Sequence, residues 1–409
     1  MFACGKALCA AAVAAALFTP AAVASQPGEP GFGGVEPGTA FAGLEAQVLT
    51  HPQAVLGTDG HRHLAYKLVL TGTTPSALKV TRVQVRDATR HRVLLNLRGR
   101  RLTTHLTKLG DAERPLSGGV VHGAETAVVW LDVRLPARGR VPARLDHVVT
   151  AVVQAEGGKG PTLREVLTPV RTRRRAVPVL GPPIGGGGTW FVSDGCCTNY
   201  GHHRFGTISI NGVLSVPQRF AIDFFALDAL HRSWVGDPSK LTSYLSYGRP
   251  AIASADGVVV SAVNKYPENT PPKAPTPPPI AETTGNNVIV RVAPGIFLLY
   301  GHLAPGTVRV HNGQRVSRGD VLGLIGTSGN SSTPHLHFQL LTTPTFFPAD
   351  STPFVFDRFD LVGQITRRIW DDDLGLQPTG TLPYAPAPHP GPRRDQMPLD
   401  RNVIVLPDA

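Results

Sequence analysis

The sequence predicts a mostly β protein: an amino-terminal β-sandwich followed by a second domain built on an antiparallel sheet. Two observations carry this. Of 409 residues, 44 are Gly and 38 are Pro, which favours turns over long helices. Short apolar runs separated by turn residues recur along most of the chain, the pattern of many short strands. Hydrophobic residues at 42% and charged residues at 17% mark a globular chain. The length allows two or three domains at about 150 residues each.

Residues 1–25 read as a signal peptide. Lys6 gives the positive start, Ala7 to Phe18 an apolar run broken by Pro20, and Ala22-Val23-Ala24 a small-residue cleavage pattern. The run is shorter than the roughly 20 apolar residues of a membrane span. A buried amino-terminal helix is the alternative, with little amphipathic pattern behind it. No lipoprotein-style cysteine follows, and no later stretch is long and apolar enough to cross a membrane. The expectation is an exported protein, in the periplasm, outside the cell or in the envelope, with no transmembrane segment. Cys4 and Cys9 would leave with the signal, so Cys196-Cys197 remain. Adjacent Cα atoms lie about 3.8 Å apart, below the usual disulfide range. A vicinal bridge and a zinc site short of ligands are alternatives to two plain thiols, which are the simpler reading. The net charge of +11 implies an anionic partner. Export turns that expectation from nucleic acid toward wall polymers or anionic lipid headgroups, beside the plainer reading of a solvated basic surface.

Residues 26–38 form a Gly- and Pro-rich lead. Residues 39–170 contain His63 to Leu70, Leu78 to Val85 and Ala127 to Val133, with turns such as Asp59-Gly60 between. They are expected to form an immunoglobulin-like sandwich. Its histidines, His51, His61, His63, His91 and His105, are scattered, as satisfied surface or core histidines are. Residues 171–189 read as a linker: a basic run from Arg171 to Arg175, then Pro182-Pro183 and Gly185 to Gly188. Residues 190–365 are again strand-rich, in Ala251 to Ala262, Asn287 to Val292 and Gly295 to Tyr300. An insertion from Asn264 to Gly285 is dominated by proline, which cannot donate to a sheet ladder. It should be an exposed loop, either a flap beside a groove or plain decoration. Residues 366–409 are a Pro-rich tail in which Asn402 to Leu406 would dock as a final edge strand.

The chemistry gathers in the second domain. In Pro334-His335-Leu336-His337-Phe338, a strand would place His335 and His337 on one face, about 6.5–7 Å apart. That spacing suits one metal ligand and one imidazole facing a metal-bound water. By itself the pattern is weak. Tyr300-Gly301-His302-Leu303 ends an apolar strand. In Gln218-Arg219-Phe220-Ala221-Ile222-Asp223-Phe224, Asp223 is a carboxylate in an apolar strand. A buried charge is expensive without a partner, and a structural arginine or a metal ion would serve.

Ala253 to Val259, Tyr300 to Leu303, Gly313 to Asp320, Gly323 to Gly329 and His335 to Phe338 come in an order that resembles peptidase family M23, which includes LytM and lysostaphin. The likeness covers roughly residues 200–345. It implies an antiparallel β-sheet groove, one zinc ion and hydrolysis of peptide cross-links in bacterial peptidoglycan. It also implies Asp223 and His337 as zinc ligands, and His335 and His302 as catalytic histidines. The alternative is a degenerate member that binds wall or activates another hydrolase. A plain sugar- or lipid-binding β protein leaves the ordered histidines unexplained.

One position departs from the family. The first ligand histidine usually lies four residues before the aspartate, where this chain has Arg219. Upstream are His202-His203, and Asn211-Gly212 is a strong hairpin signal. That turn pairs residues whose numbers sum to 423, placing His202 opposite Ala221, on the face of Asp223. A bulge would substitute His203, and a His-Arg at this spacing in some relatives also points to His203. Both stand as candidate ligands.

Overall fold

The computed structural model describes residues 43–155, 158–198, 201–347, 349–365 and 378–408. The expected signal peptide and the lead lie outside them.

The amino-terminal module is two antiparallel sheets. Its strands are β1 (Leu44–Val48), β2 (His61–Gly72), β3 (Leu78–Asp87), β4 (Val93–Arg98), β5 (Leu106–Lys108), β6 (Asp111–Pro115), β7 (Thr126–Pro136), β8 (Arg144–Ala155) and β9 (Gly158–Val166). One sheet runs β1-β2-β7-β5-β6 and the other β9-β8-β3-β4. Alternation does the sorting. Leu64, Tyr66, Leu68 and Leu70 of β2 join Val129, Leu131 and Val133 of β7. From the other sheet Val83, Val85, Val149 and Ala151 complete one apolar cluster. His63 is satisfied within this module: Nδ1 meets Asp132 and Nε2 meets Asp59, both at 3.0 Å. Burial opposes its charge, but the two carboxylates outweigh that and push the imidazole up to about 9.

The second domain is organised by a ten-stranded antiparallel sheet. Its strands are β10 (Gly188–Ser193), β13 (Ile222–Leu227), β14 (Gly257–Val263), β15 (Asn286–Ala293), β16 (Ile296–Leu303), β17 (Arg315–Val316), β18 (Leu336–Leu341), β19 (Phe359–Ile365), β20 (Tyr384–Arg393) and β21 (Asn402–Leu406). Between β10 and β13 come the short helix α1 (His202–Phe205) and the hairpin β11 (Ile208–Ile210) and β12 (Val213–Ser215). The order across the large sheet is β17-β14-β15-β16-β18-β13-β10-β21-β19-β20. Its central strands are buried on both faces. Ile222, Phe224 and Ala226 pack into one cluster with Trp190, Tyr300 and Phe338, while Phe225 and Leu227 pack on the other side with Phe191 and Val403.

Several local expectations change. Residues 402–406 are not an edge strand: β21 sits between β10 and β19. The run Asn-Val-Ile-Val-Leu is almost wholly buried, and a continuous apolar run belongs inside a sheet covered on both faces. Within 171–189, Val179–Leu180 pairs with Val355–Phe356, and β10 begins at Gly188. Cys196 and Cys197 form a vicinal disulfide, not two thiols.

The two domains share a packed junction. Val55 and Ala65 of the sandwich belong to the core of the larger domain. Arg204 of α1 reaches across: its Nη2 donates to Leu131 O at 2.7 Å and Tyr66 O at 3.5 Å, and its guanidinium lies 5.8 Å from the Trp130 ring centre. Nearby, Arg62, Arg140, Arg173, Arg174 and Arg175 line one open groove.

Ile404, fully buried in β21, should cost about 2–5 kcal/mol on substitution by Ala, through lost transfer energy and the cavity left behind. Denaturant unfolding measures it. A loss below about 0.5 kcal/mol, the scale of surface substitutions, would contradict an interior β21.

Candidate metal centre

Asp223 begins the cluster. Strand β13 is apolar but for this carboxylate, which is 1% exposed. The register fixes its neighbours: Ser193 opposes it from β10, His337 from β18, and Gly301 of β16 opposes His337. Directly opposed residues share a sheet face, so Asp223 and His337 lie side by side. His337 Nδ1 is 2.9 Å from Asp223 Oδ1. Gly301 leaves room, since a Cβ there would meet the His337 Cβ at 3.3 Å.

His335 lies one residue before β18 and still turns to the same centre, its Nε2 3.5 Å from Asp223 Oδ1. His302 follows Gly301, so strict alternation would send it to the other face. Its backbone departs from the strand at φ 61°, a left-handed conformation that costs a non-Gly residue about 1–3 kcal/mol. Backbone bonds hold it: His302 N–H donates to Thr284 O and Gly326 N–H to His302 O, both at 2.9 Å. The ring then lies 4.8 Å from that of His335.

The hairpin has the expected register, with Ile208 opposite Ser215 and Ile210 opposite Val213. It stops there. His202 and His203 do not extend it opposite Ala221 and Phe220; they form the start of α1. A helical turn aims both rings at the carboxylate, which the strand register would not. His203 Nε2 is 3.3 Å from Asp223 Oδ2, and His202 Nε2 is 3.9 Å from it. His203 is 0% exposed, whereas the His202 side chain is 41% exposed at the rim. Arg219 points elsewhere, to Asp350, Ser351 O and Thr50.

The hydrogen bonds on the far sides of these rings set their tautomers. Gln339 Nε2 donates to Pro217 O at 3.1 Å, so Oε1 must be the atom 2.9 Å from His337 Nε2. That oxygen only accepts. His337 therefore carries a proton on Nε2, which leaves Nδ1 as the atom facing Asp223. His203 Nδ1–H donates to Asp194 O at 3.2 Å, leaving an Nε2 with no hydrogen-bond partner. His335 Nδ1–H donates to Thr333 O and His302 Nδ1–H to Ser328 O, both at 2.8 Å. Burial, with the neighbouring imidazoles, holds His203 and His302 well below the usual histidine range despite Asp223. Burial tends to raise Asp223, but His203, His335 and His337 hold it well below the usual carboxylate range.

Lone pairs thus converge on an ionised carboxylate from several sides. Where these rings are neutral, acceptors facing one another at 2.9–3.3 Å are repulsive unless a cation lies among them; a protonated ring would instead pair with Asp223. One carboxylate oxygen with imidazole nitrogens is a donor set that suits zinc. His202, His203 and Asp223 each offer a ligand atom within 4.8 Å of the others. A second such group, His63, Asp132 and Cys197, does not fit an ion: both His63 nitrogens are engaged and Cys197 is in the disulfide.

The structure brings together all six residues singled out in the sequence: His202, His203, Asp223, His302, His335 and His337. It adds Asp194 and Gln339, which orient the His203 and His337 rings. Gln339 carried a readable signal, as the third polar side chain at period 2 after His335 and His337. Asp194 carried none, because its carbonyl reaches His203 only through the loop before α1.

Fold and cluster together define a class: an antiparallel β protein with a candidate metal site of one carboxylate among imidazoles. Residues 242–346, about a quarter of the chain, match the family described as Peptidase family M23. The match contains His302, His335 and His337 but begins after α1 and Asp223. Cell division protein DipM of Caulobacter vibrioides is 34% identical over 98 residues, 24% of this chain and 13% of DipM. DD-carboxypeptidase/endopeptidase Mpg of Neisseria meningitidis serogroup B is 31% identical over 120 residues, 26% of this chain and 24% of Mpg. Peptidoglycan DD-endopeptidase ShyA of Vibrio cholerae is 35% identical over 94 residues, 23% of this chain and 18% of ShyA. The shared segment thus spans a quarter or less of these relatives.

Gln339→Leu should weaken zinc binding about 10- to 100-fold, the usual cost of losing the group that orients a ligand histidine. Gln339→Glu keeps an acceptor for His337 Nε2–H and should bind more tightly than the Leu variant. Competition with a calibrated chelator reads both. Equal affinity of Gln339→Leu and wild type would rule out His337 Nδ1 as a ligand atom.

Proposed function

We propose that this chain is a zinc-dependent endopeptidase that hydrolyses peptide cross-links of bacterial peptidoglycan. The observation that carries the reading is the convergence of imidazole lone pairs on Asp223, each held by an acceptor behind its ring. Two relatives are named as a peptidoglycan DD-endopeptidase and a DD-carboxypeptidase/endopeptidase, which supports the substrate class. Asp223, His337 Nδ1 and His203 Nε2 would hold zinc, with His202 at the rim. Three protein ligands leave the open position that a catalytic site needs. Bound zinc would supply a water acidified toward pKa about 7 and polarise the scissile carbonyl.

His335, with its Nδ1–H held by Thr333 O and its Nε2 3.5 Å from Asp223 Oδ1, would serve as a base for the water proton and then as its carrier to the leaving amine. His302 has its Nδ1–H committed to Ser328 O, and burial keeps it neutral. It would therefore accept a hydrogen bond from the attacking water, and act on an oxyanion only after taking up a proton. Arg219 at the customary ligand position would favour a degenerate binding factor, but His203 answers that loss. Export fits an envelope substrate, and no helix among the described residues is long and apolar enough to cross a membrane. The arginine-lined groove suits the anionic wall.

Two measurements on each variant test the division of roles: zinc by mass spectrometry, and release of cleaved muropeptides from sacculi. His335→Ala should keep about one zinc and lose cleavage by at least about 100-fold, the scale of general acid–base catalysis. His203→Ala and His337→Ala should lose both, whereas His202→Ala should keep zinc. Zinc retained in His203→Ala and lost in His202→Ala would reverse the ligand assignment. A zinc-loaded wild type that releases nothing would leave the degenerate reading.

A further inference from the structure

We infer that Glu268 and Asn269, in the proline-rich insertion, are positioning residues that clamp the loop behind the two catalytic histidines. The inference rests on the proposed roles of His302 and His335. Both rings are oriented by backbone carbonyls of one segment: Ser328 O takes His302 Nδ1–H and Thr333 O takes His335 Nδ1–H. Ser331 Oγ lies 3.4 Å from His335 Nδ1 and donates to Thr333 O at 2.9 Å. Whatever fixes residues 327–331 therefore fixes which nitrogen of each ring carries a lone pair, and where it points.

That loop is short of regular bonding of its own, and the insertion supplies it. Asn269 Nδ2 reaches three of its carbonyls, Thr327 O at 2.7 Å, Gly329 O at 2.7 Å and Ser331 O at 2.8 Å. Two N–H donors shared among three carbonyls tie the turn to a single shape. Glu268 Oε2 accepts from Thr327 N–H at 2.7 Å, and the backbone of Glu268 bridges to Ser328. Burial pushes the Glu268 carboxyl up to about 7; charged or neutral, it keeps an acceptor oxygen for that N–H. The insertion's far end grips the same loop: Asn286 N–H donates to Ser328 Oγ at 2.9 Å, and Asn330 N–H to Thr283 O at 2.9 Å. Asn286 Oδ1 closes the base of the insertion on Lys265 N–H and Tyr266 N–H, at 2.7 and 2.8 Å. The segment is thus a brace and not a free flap: its ends do the holding, and the prolines between them only span the gap.

A misplacement of about 1 Å in a catalytic group costs on the order of 100-fold in rate. Asn269→Ala, and Asn269→Asp, which keeps the shape but turns an oxygen toward three carbonyls, should lower kcat about 10- to 100-fold. KM, zinc content and thermal unfolding should stay near wild type. Glu268→Ala should behave likewise and Glu268→Gln, with its acceptor oxygen, should recover most of the rate. Replacing Lys273–Pro279 by a Gly/Ser segment of equal length should leave kcat within about threefold, far inside that penalty. The turnover of wild type tests the proposed function; the ratio of variant to wild type tests the brace. A readout without turnover separates them if wild type is inactive. Imidazole 15N shifts should report His302 and His335 as pure Nδ1–H tautomers in wild type and mixed tautomers in Asn269→Ala. An unchanged kcat, or unchanged tautomers in an inactive protein, would overturn the brace. So would a variant that loses zinc and stability together with rate, since Asn269 would then be structural only.

Discussion

Everything at this site follows from one unfavourable placement, an ionised carboxylate buried in the middle of an apolar strand. Among the described residues, no arginine or lysine pairs with Asp223 to offset its desolvation, which costs several kcal/mol in a protein interior. Its neighbours are imidazoles. Burial drives His203 and His302 toward the neutral form, and a neutral imidazole does not neutralise a carboxylate. A shared cation would offset that charge, so metal occupancy and local stability are expected to be linked at this point of the sheet.

The far side of each ring matters as much as the near side. A histidine has two nitrogens, and an acceptor placed behind one of them decides what the other can do. Here a side-chain amide and three backbone carbonyls make that choice. Gln339 sits on the same strand as His337, so its help is encoded by strand periodicity. Ser328 and Thr333 lie in a loop, where periodicity encodes nothing, and the loop in turn borrows its shape from a segment about 60 residues earlier in the chain. Ring orientation is local in space and scattered in sequence.

That contrast also separates what the sequence made legible. The strands around Asp223, His302 and His337 announced themselves through alternation and apolar runs, and the Asn211-Gly212 turn fixed its hairpin register to the residue. What failed was extrapolation beyond the hairpin. Pairing arithmetic assumes the strand continues, and Gly206 interrupts it, so His202 and His203 fall on a helical turn instead. The burial of β21 was misread for a related reason: a strand near the end of a chain looks like an edge unless its continuous apolar run is given more weight than its position. Proline content read as exposure in the insertion hid the two polar residues, Glu268 and Asn269, that point inward.

The replacement of the usual ligand position by Arg219 has a structural cost that explains the sandwich's place beside the site. A ligand on a central strand is held by the ladder on both sides. A ligand on a four-residue helix is not, because a single turn is far below the length at which helices are stable by themselves. With His203 as the proposed ligand, α1 needs an external anchor, and Arg204 provides it. Its guanidinium is buried, bonded to carbonyls of β2 and β7, and set against Trp130. Those carbonyls belong to the amino-terminal module. Arg219, freed from any ligand role, bonds to Thr50 beside the same module. The two arginines thus tie the sandwich to the segments before and after the hairpin, and the amino-terminal module holds the helix that carries the proposed third ligand.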